Sequence, residues 1–567
     1  MTASINFIPK VKDTYNKELF ETEWVPRIKK YQEALAASIP KELALDESQI
    51  PSDLDTKAFN AIQFMYDQKL LTEKEFAFTD LKCVDLAAKI ASGELTSVEV
   101  FKAFAKKAVI CHQFTHCANE FFIDEGLARA KELDAYFAEH GKTVGPFHGL
   151  PISLKEQLGY KGKITHAGYV AKLVNVPEES AVTIQILEKL GGVFYIRTVQ
   201  PQTLMHLDSM NNITGRARNP YNSTLSPGGS SSGEGSISAF RAAALSVGTD
   251  IGGSVRGPAA FSGSQGLRCT TRRVSTLGGL SSGLGQESVL GIAGPMSTHI
   301  DDLRFFMENY INLGKPWEYD AWSLPIPWRT GLVPGKDQKK VKIAIMYDDE
   351  VVKPLPPIER GLKYAAEKLG KVSNIELVEF KPIKTQLANE TVLKLYSIDG
   401  NYRQKSLLAP SGEPMVYLSK WSLSYGDGDE AGSVTDNRNL NSTRDSLRNE
   451  YNKFMVDNQI DFILTANYNN VAPKPERIYN WSYTSLFNLL DMPALAFQTG
   501  LFQDPTVDVI KKPRTKFRSD VEELEWSLYN PEDFRGAPIA LQLVGRRYFD
   551  EEVLNGGQYV FDILNQH

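Results

Sequence analysis

The chain has 567 residues, 42 % hydrophobic and 23 % charged, with a formal net charge of −6 spread along its length. This composition suits a globular protein with a sizeable core, and the lack of a basic stripe argues against a nucleic-acid surface. The four cysteines (Cys83, Cys111, Cys117 and Cys269) are too few for a disulfide framework, so reduced thiols and a cytoplasmic setting are expected.

In chain order, the N-terminal MTASINFIPKVKDTYNKELFETEW has no apolar run of the secretory kind, and sequons such as Asn222-Ser223-Thr224 carry no weight. No window holds the roughly 18 or more apolar residues of a membrane span. Residues 1–75 read as a polar helical arm, with Trp24, Ile28 and Tyr31 at helical spacing, packed on a body spanning 76–567. Thr96 and Glu99 have capping-box spacing, and Val98, Phe101, Phe104 and Val109 form the apolar face of the helix that follows. GLARAKELDAYFAEHG reads as a helix ending at Gly141, and Leu150 to Leu154 as a buried strand. Residues 180–190 read as a helix stopped by Gly191 and Gly192, with the strand VFYIRT directly after. This alternation predicts an α/β fold with covered sheet faces. Residues 322–340 are loop-rich. The strand VKIAIMY (341–347) follows, then a helix from Ile358 to Leu369.

Residues 225–257 read LSPGGSSSGEGSISAFRAAALSVGTDIGGSVRG. Sixteen of these thirty-three are Gly or Ser, yet an apolar helical segment separates two Gly/Ser loops, so this is no simple linker. Such loops bring backbone N–H groups close to a ligand. A phosphate-binding loop is excluded, because no Lys-Ser/Thr follows the glycines. Plain turn structure is the simpler reading of an isolated GGSS, and a surface position the simpler reading of a lysine at a strand end.

Taken together, GLPISLKEQ (149–157), SPGGSSSGEG (226–235) and GTDIGGSVRGPAAFSGSQGLR (248–268) resemble the amidase-signature family in order and spacing. Ser230 and Ser254 stand 24 residues apart, as in that family. The resemblance runs from about Phe76 to the C-terminus. LPIP before WRTGLVPG, YTSLFNLLDMPALAF, PIALQLVGRRYFDEEVL and the SIPKEL of the arm resemble fungal acetamidase-like members.

The resemblance implies a large mixed β-sheet core flanked by helices on both faces, with the arm and residues 315–480 covering the active-site mouth. It implies hydrolysis of carboxylic amides to a carboxylate plus ammonia or amine, through an acyl-enzyme and without metal or organic cofactor. Ser254 would be the nucleophile, Ser230 the proton relay and Lys155 the base. A serine hydroxyl needs such a base, none of the eight histidines lies in these motifs, and burial can turn a lysine into one. Ile251, Gly252, Gly253 and Ser254 would supply oxyanion donors; the peptide before Ser230 would be cis. Ser231 would bond within the relay, and Asp250 with Arg256 would brace the loop. Tyr169, Gln202 and Met205 are candidate substrate contacts. The expected partner is a small-molecule amide, with no nucleic acid; a homodimer is one open assembly.

The chain departs from the family pattern at Ser232 for a glycine, Glu156 for Asp, Arg197-Thr198-Val199 for Lys-Thr-Asn, and Cys269-Thr270-Thr271-Arg272-Arg273 after GLR. Two other functions stay open. A glutaminase subunit of a tRNA amidotransferase shares the Ser-Ser-Lys arrangement, although the arm and the C-terminal motifs speak against it. A non-catalytic binding protein is the other. Cys111-His112 with His116-Cys117 reads as core helix rather than a metal site. GDGDEAG, with Asp427 and Asp429, fails the calcium-loop order at Ala431 and Arg438 and reads as a solvated loop. Cys269 reads as a buried structural thiol.

Overall fold

In the computed structural model the described residues are 8–331, 333–334 and 340–566. The first seven residues of the N-terminal reading, and Leu332 and residues 335–339 of the loop-rich stretch with the end of WRTGLVPG, lie outside them. Eleven strands form one sheet: β1 Ala118–Phe121, β2 Pro151–Lys155, β3 Val193–Thr198, β4 Leu245–Asp250, β5 Gln265–Arg268, β6 Ile292–Ser297, β7 Val341–Met346, β8 Ile375–Glu379, β9 Phe462–Ala466, β10 Ala494–Phe502 and β11 Pro538–Val544. Their spatial order is β1-β3-β2-β4-β6-β5-β10-β11-β9-β7-β8. Parallel pairs β3-β2-β4 and β9-β7-β8 flank an antiparallel centre, so the sheet is mixed.

Burial explains why these segments read as they do. VFYIRT of β3, FILTA of β9 and PIALQLV of β11 are buried throughout. A strand covered by helices on both faces is apolar without alternation. The edges differ. β8 reads IELVE and exposes its glutamates, which discourages pairing with another chain. β1 is four residues long, and Phe121 N–H donates to Ser38 Oγ (3.4 Å) of the arm, which covers that edge.

Helix boundaries follow local chemistry. Thr96 and Glu99 form the expected capping box of the helix Ser97–Thr115. Helix Ile123–His140 ends at Gly141 in the left-handed conformation that glycine adopts without steric cost. Helix Val182–Lys189 precedes β3, and helix Pro356–Gly370 starts two residues before the expected Ile358. The metal-like Cys/His run is not wholly helical: the helix stops at Thr115, with His116 in a left-handed cap and Cys117 beyond it. In the arm, helix Val25–Ala37 buries Ile28 against Val170, Leu173 and Ile213. Lys12 N–H donates to Asp429 Oδ2 (2.8 Å), and a Cβ on Gly428 would meet Lys10, so the arm partly covers the GDGDEAG loop.

Candidate active site

β2 and β4 are parallel neighbours, with Leu154 opposite Val247. Their carboxyl ends present Lys155 and Thr249 side by side, the usual location of a site in a parallel sheet. Lys155 is the last residue of β2 rather than the residue after it. Its side chain is fully buried, and Nζ lies 2.7 Å from Ser230 Oγ and 2.8 Å from Thr249 Oγ1. Thr249 Oγ1 donates to Gln157 Oε1 (2.8 Å), so toward Lys155 it can only accept. Burial drives the Lys155 amine down from the ordinary lysine range to about 7, against the pull of Asp250 and Glu234.

The loop carrying Ser230 and Ser231 leads into helix Ser232–Ala239, and the Gly229–Ser230 peptide is cis. Ser231 is tied to β4 twice: its Oγ donates to Thr249 O (3.2 Å) and accepts from Thr249 N–H (3.1 Å). A Cβ on Gly248 would stand 2.6 Å from that oxygen, which explains the glycine. Ser231 N–H donates to Ser254 O (3.1 Å), joining the two loops. Ser230 and Ser254 are both almost fully buried.

Ser254 lies between β4 and helix Arg256–Ser262. Asp250 organises this turn. Its carboxylate accepts from Gly253 N–H (2.8 Å), Val255 N–H (3.2 Å) and Asn488 Nδ2 (2.9 Å). It also takes two bonds from the Arg256 side chain, Nε to Oδ2 and NH2 to Oδ1, both 3.1 Å, and one from Arg256 N–H (3.4 Å). Burial alone would raise the Asp250 carboxyl, but Arg256 and these donors hold it far below the usual range. Gly253 has φ +129°, and a Cβ there would meet Thr484 Oγ1 at 2.4 Å, so both backbone and space require glycine.

Two covering elements pin the loop carbonyls. Tyr396 Oη donates to Ile251 O, and Thr484 Oγ1 to Gly252 O, each at 2.6 Å. In a trans peptide the C=O and the next N–H point oppositely. Tyr396 thereby turns Gly252 N–H the other way, and Thr484 turns Gly253 N–H onto Asp250. Of the four expected oxyanion donors, Gly253 is therefore already engaged. The N–H groups of Ile251, Gly252 and Ser254 meet no acceptor among the described residues.

A pocket of about 230 Å3, its open mouth included, lies over Ser254 between Leu204–Leu207, Ile251–Gly252, Tyr396 and Trp481. Met205 lines it; Tyr169 and Gln202 do not. Tyr169 Oη bonds Gln404 Oε1, and Gln202 Nε2 donates to Glu413 Oε2 (2.7 Å). Both residues anchor the 404–416 segment. Their side chains point away from the pocket into that packing.

The departures from the motif are absorbed locally. Glu156 accepts from the N–H groups of His166 (2.6 Å) and Ala167 (2.9 Å), and Ser232 Oγ donates to Asp208 O (3.2 Å). Arg197 Nε bonds Glu120 Oε1 (2.5 Å), while Val199 exchanges only backbone bonds with Cys117 and Gly233. Cys269 is buried, donates to Ala293 O (3.5 Å), and burial pushes its thiol up, away from reactivity.

Sequence reasoning missed Thr249 and Gln157, although both stand inside the quoted motifs. It also missed Glu234, which accepts from Ser153 Oγ and Thr198 Oγ1 (2.7 Å each) and is raised by burial to about 7. Tyr396, Trp481 and His206 carried no local signal.

An amidase family model matches residues 99–554. The chain belongs to the amidase family, whose members of known structure share this large mixed sheet. It is 36 % identical to the acetamidase of Emericella nidulans over 521 residues, covering 89 % of this chain and 93 % of that one. The acetamidase of Aspergillus oryzae is 34 % identical, over 87 % of this chain and 92 % of its own. A solved fatty acid amide hydrolase superposes with a TM-score of 0.95 at 55 % identity, covering 98 % of this chain and 97 % of that chain. A bacterial aryl acylamidase shares the fold at 16 % identity and a TM-score of 0.67, over 86 % of this chain and 99 % of the other. The chain is thus an amide hydrolase by family. No helix of the described residues is long and apolar enough to cross a membrane.

Proposed function

We propose that the protein hydrolyses carboxylic amides with a Ser254–Ser230–Lys155 triad. The observation that carries this reading is the 2.7 Å contact between Ser230 Oγ and a fully buried amine brought down to about 7. Near neutral pH much of that amine is uncharged. One N–H is directed to Thr249, whose own proton is committed to Gln157. The lone pair then faces the Ser230 hydroxyl and can accept its proton.

Ser254 Oγ attacks the amide carbon while its proton passes to Ser230 and the Ser230 proton to Lys155. The carbonyl oxygen becomes an oxyanion on the N–H groups of Ile251, Gly252 and Ser254. Collapse breaks the carbon–nitrogen bond, and a proton returns through Ser230 to the departing amine. Water then attacks the acyl-serine by the same relay, releasing the carboxylate. Leu204, Leu207 and Met205 suit an amide with an apolar acyl group. The acetamidase and fatty acid amide hydrolase similarities support acyl amides as the class. A sulfonyl fluoride should label the wild-type protein at Ser254, as read by peptide mapping, and leave Ser254→Ala unlabelled. Equal labelling of both would remove Ser254 as nucleophile.

A further inference from the structure

Four arginines gather at the carboxyl end of helix Ser482–Leu490, away from the pocket. Arg444 and Arg448 lie four residues apart on helix Val434–Asp457 and so share a face. Arg448 Nε donates to Leu489 O (2.9 Å), and Arg444 NH1 to Ser288 O (2.5 Å). Arg547, just beyond β11, donates through Nε to Asp491 Oδ2 (2.7 Å), two residues along from Leu489. Arg268 NH2 donates to the other oxygen of Asp491 (2.8 Å).

Among the described residues, two carboxylates bond these four guanidinium groups. Asp491 is saturated, since it also accepts from Thr271 N–H (3.1 Å) and Thr271 Oγ1 (2.7 Å). Asp445 is exposed; it accepts from Arg444 Nε at 2.9 Å and from Arg448 NH1 only at 3.5 Å. An excess of two positive charges is left, on a chain whose net charge is −6. Burial and the neighbouring charges of Arg444 and Arg547 bring the Arg448 guanidinium down to about 10, against the pull of Asp491. NH2 of Arg444, NH2 of Arg448 and both terminal nitrogens of Arg547 donate to no described residue. These three side chains are half-buried or exposed, so the free donors are open to a ligand. Converging guanidinium groups favour oxyanions that accept several charge-assisted bonds at once. Two unmatched positive charges fit a phosphate dianion.

We propose that Arg444, Arg448 and Arg547 form a binding site for one soluble phosphate-type oxyanion. It lies where helix Val434–Asp457, the end of helix Ser482–Leu490 and the segment after β11 meet. The anion touches no reacting atom; it ties the covering helix to the body and acts on stability. Free phosphate and a phosphomonoester share this chemistry, and the two arms of the test separate them.

The wild-type chain is titrated by calorimetry with inorganic phosphate in one arm and glycerol phosphate in the other, in chloride buffers of matched ionic strength. One site per chain should fill at millimolar ligand, and the ligand that binds more tightly identifies the source. Saturation should raise Tm by about 2 °C or more. Arg444→Gln and Arg547→Gln, made singly, should each weaken binding by about tenfold or more. No saturable heat from either ligand would overturn the proposal. Binding of unchanged strength in both variants would place the ligand elsewhere and overturn it as well. The wild-type titration needs no variant, so a misfolded substitution does not shield the proposal.

Discussion

Tyr396 and Ile251 are 145 positions apart, yet the phenol of one holds the carbonyl of the other at 2.6 Å. The covering segment therefore reaches into the loop that carries Ser254 and sets the direction of its backbone dipoles. In the proposed mechanism, catalytic geometry depends on residues that touch no reacting atom.

Tyr396→Phe tests that dependence. The variant keeps the ring but frees the Ile251 carbonyl, so Gly252 N–H is no longer aimed. A deleted oxyanion donor costs on the order of 10²- to 10³-fold in kcat, and a misaimed one should cost about tenfold or somewhat more. Steady-state kinetics should show the loss mainly in kcat rather than KM. A variant with unchanged kcat would remove Tyr396 as a positioning residue.

The pH dependence follows from Lys155. With Lys155 as the proposed base, turnover needs the neutral amine, so kcat/KM should fall as pH drops through about 7. Glu234 raises the Lys155 value by its charge, so Glu234→Gln should move this acidic limb to lower pH. A profile flat from neutral down to mildly acidic pH would exclude Lys155 as base.

The same amine makes stability depend on pH. An unfolded lysine titrates near ~10.4, well above the folded value, so the unfolded chain binds the proton more tightly. Protonation thus favours unfolding: the cost is full below about 7 and fades as pH rises toward the unfolded value. Lys155→Met should raise Tm at pH 7 and below by an amount worth a few kcal/mol, and this gain should vanish above pH ~10.4. Thermal melts at several pH values check it; a gain independent of pH would contradict the buried-amine account.

Ser254→Ala should keep the fold and lose turnover by about 10³- to 10⁶-fold. Amide hydrolysis with the active fraction counted by labelling is the measurement. Near-normal turnover would end the assignment.

Asp250→Ala should act on stability. It leaves the Arg256 guanidinium buried without its carboxylate and strips Gly253 N–H of its acceptor. Removing one partner of a buried pair costs about 3–5 kcal/mol, to be read from urea unfolding midpoints. Arg256 also donates to Asn488 Oδ1 (2.6 Å) and Gln542 Oε1 (3.0 Å), and a midpoint within error of wild type would show that these contacts suffice.

Much of this molecule is written locally. A capping box at Thr96, a glycine stop at Gly141 and doubly buried apolar strands are properties of neighbouring residues, and short-range chemistry settles them. The motif loops are legible for the same reason: glycine at 253 answers to a backbone angle, and Lys155 ends a strand whose burial its own sequence announces. The pocket is different. His206, Tyr396 and Trp481 sit in segments with no distinctive pattern, and only packing decides that they face Ser254 while Tyr169 and Gln202 turn toward Gln404 and Glu413. Nor does any spacing reveal that Asp250 takes up the Gly253 N–H. Chain neighbours determine which elements form and which side chains can react; contacts between residues far apart in sequence determine where those side chains point, because a side chain's direction is settled by whatever fills the space around it.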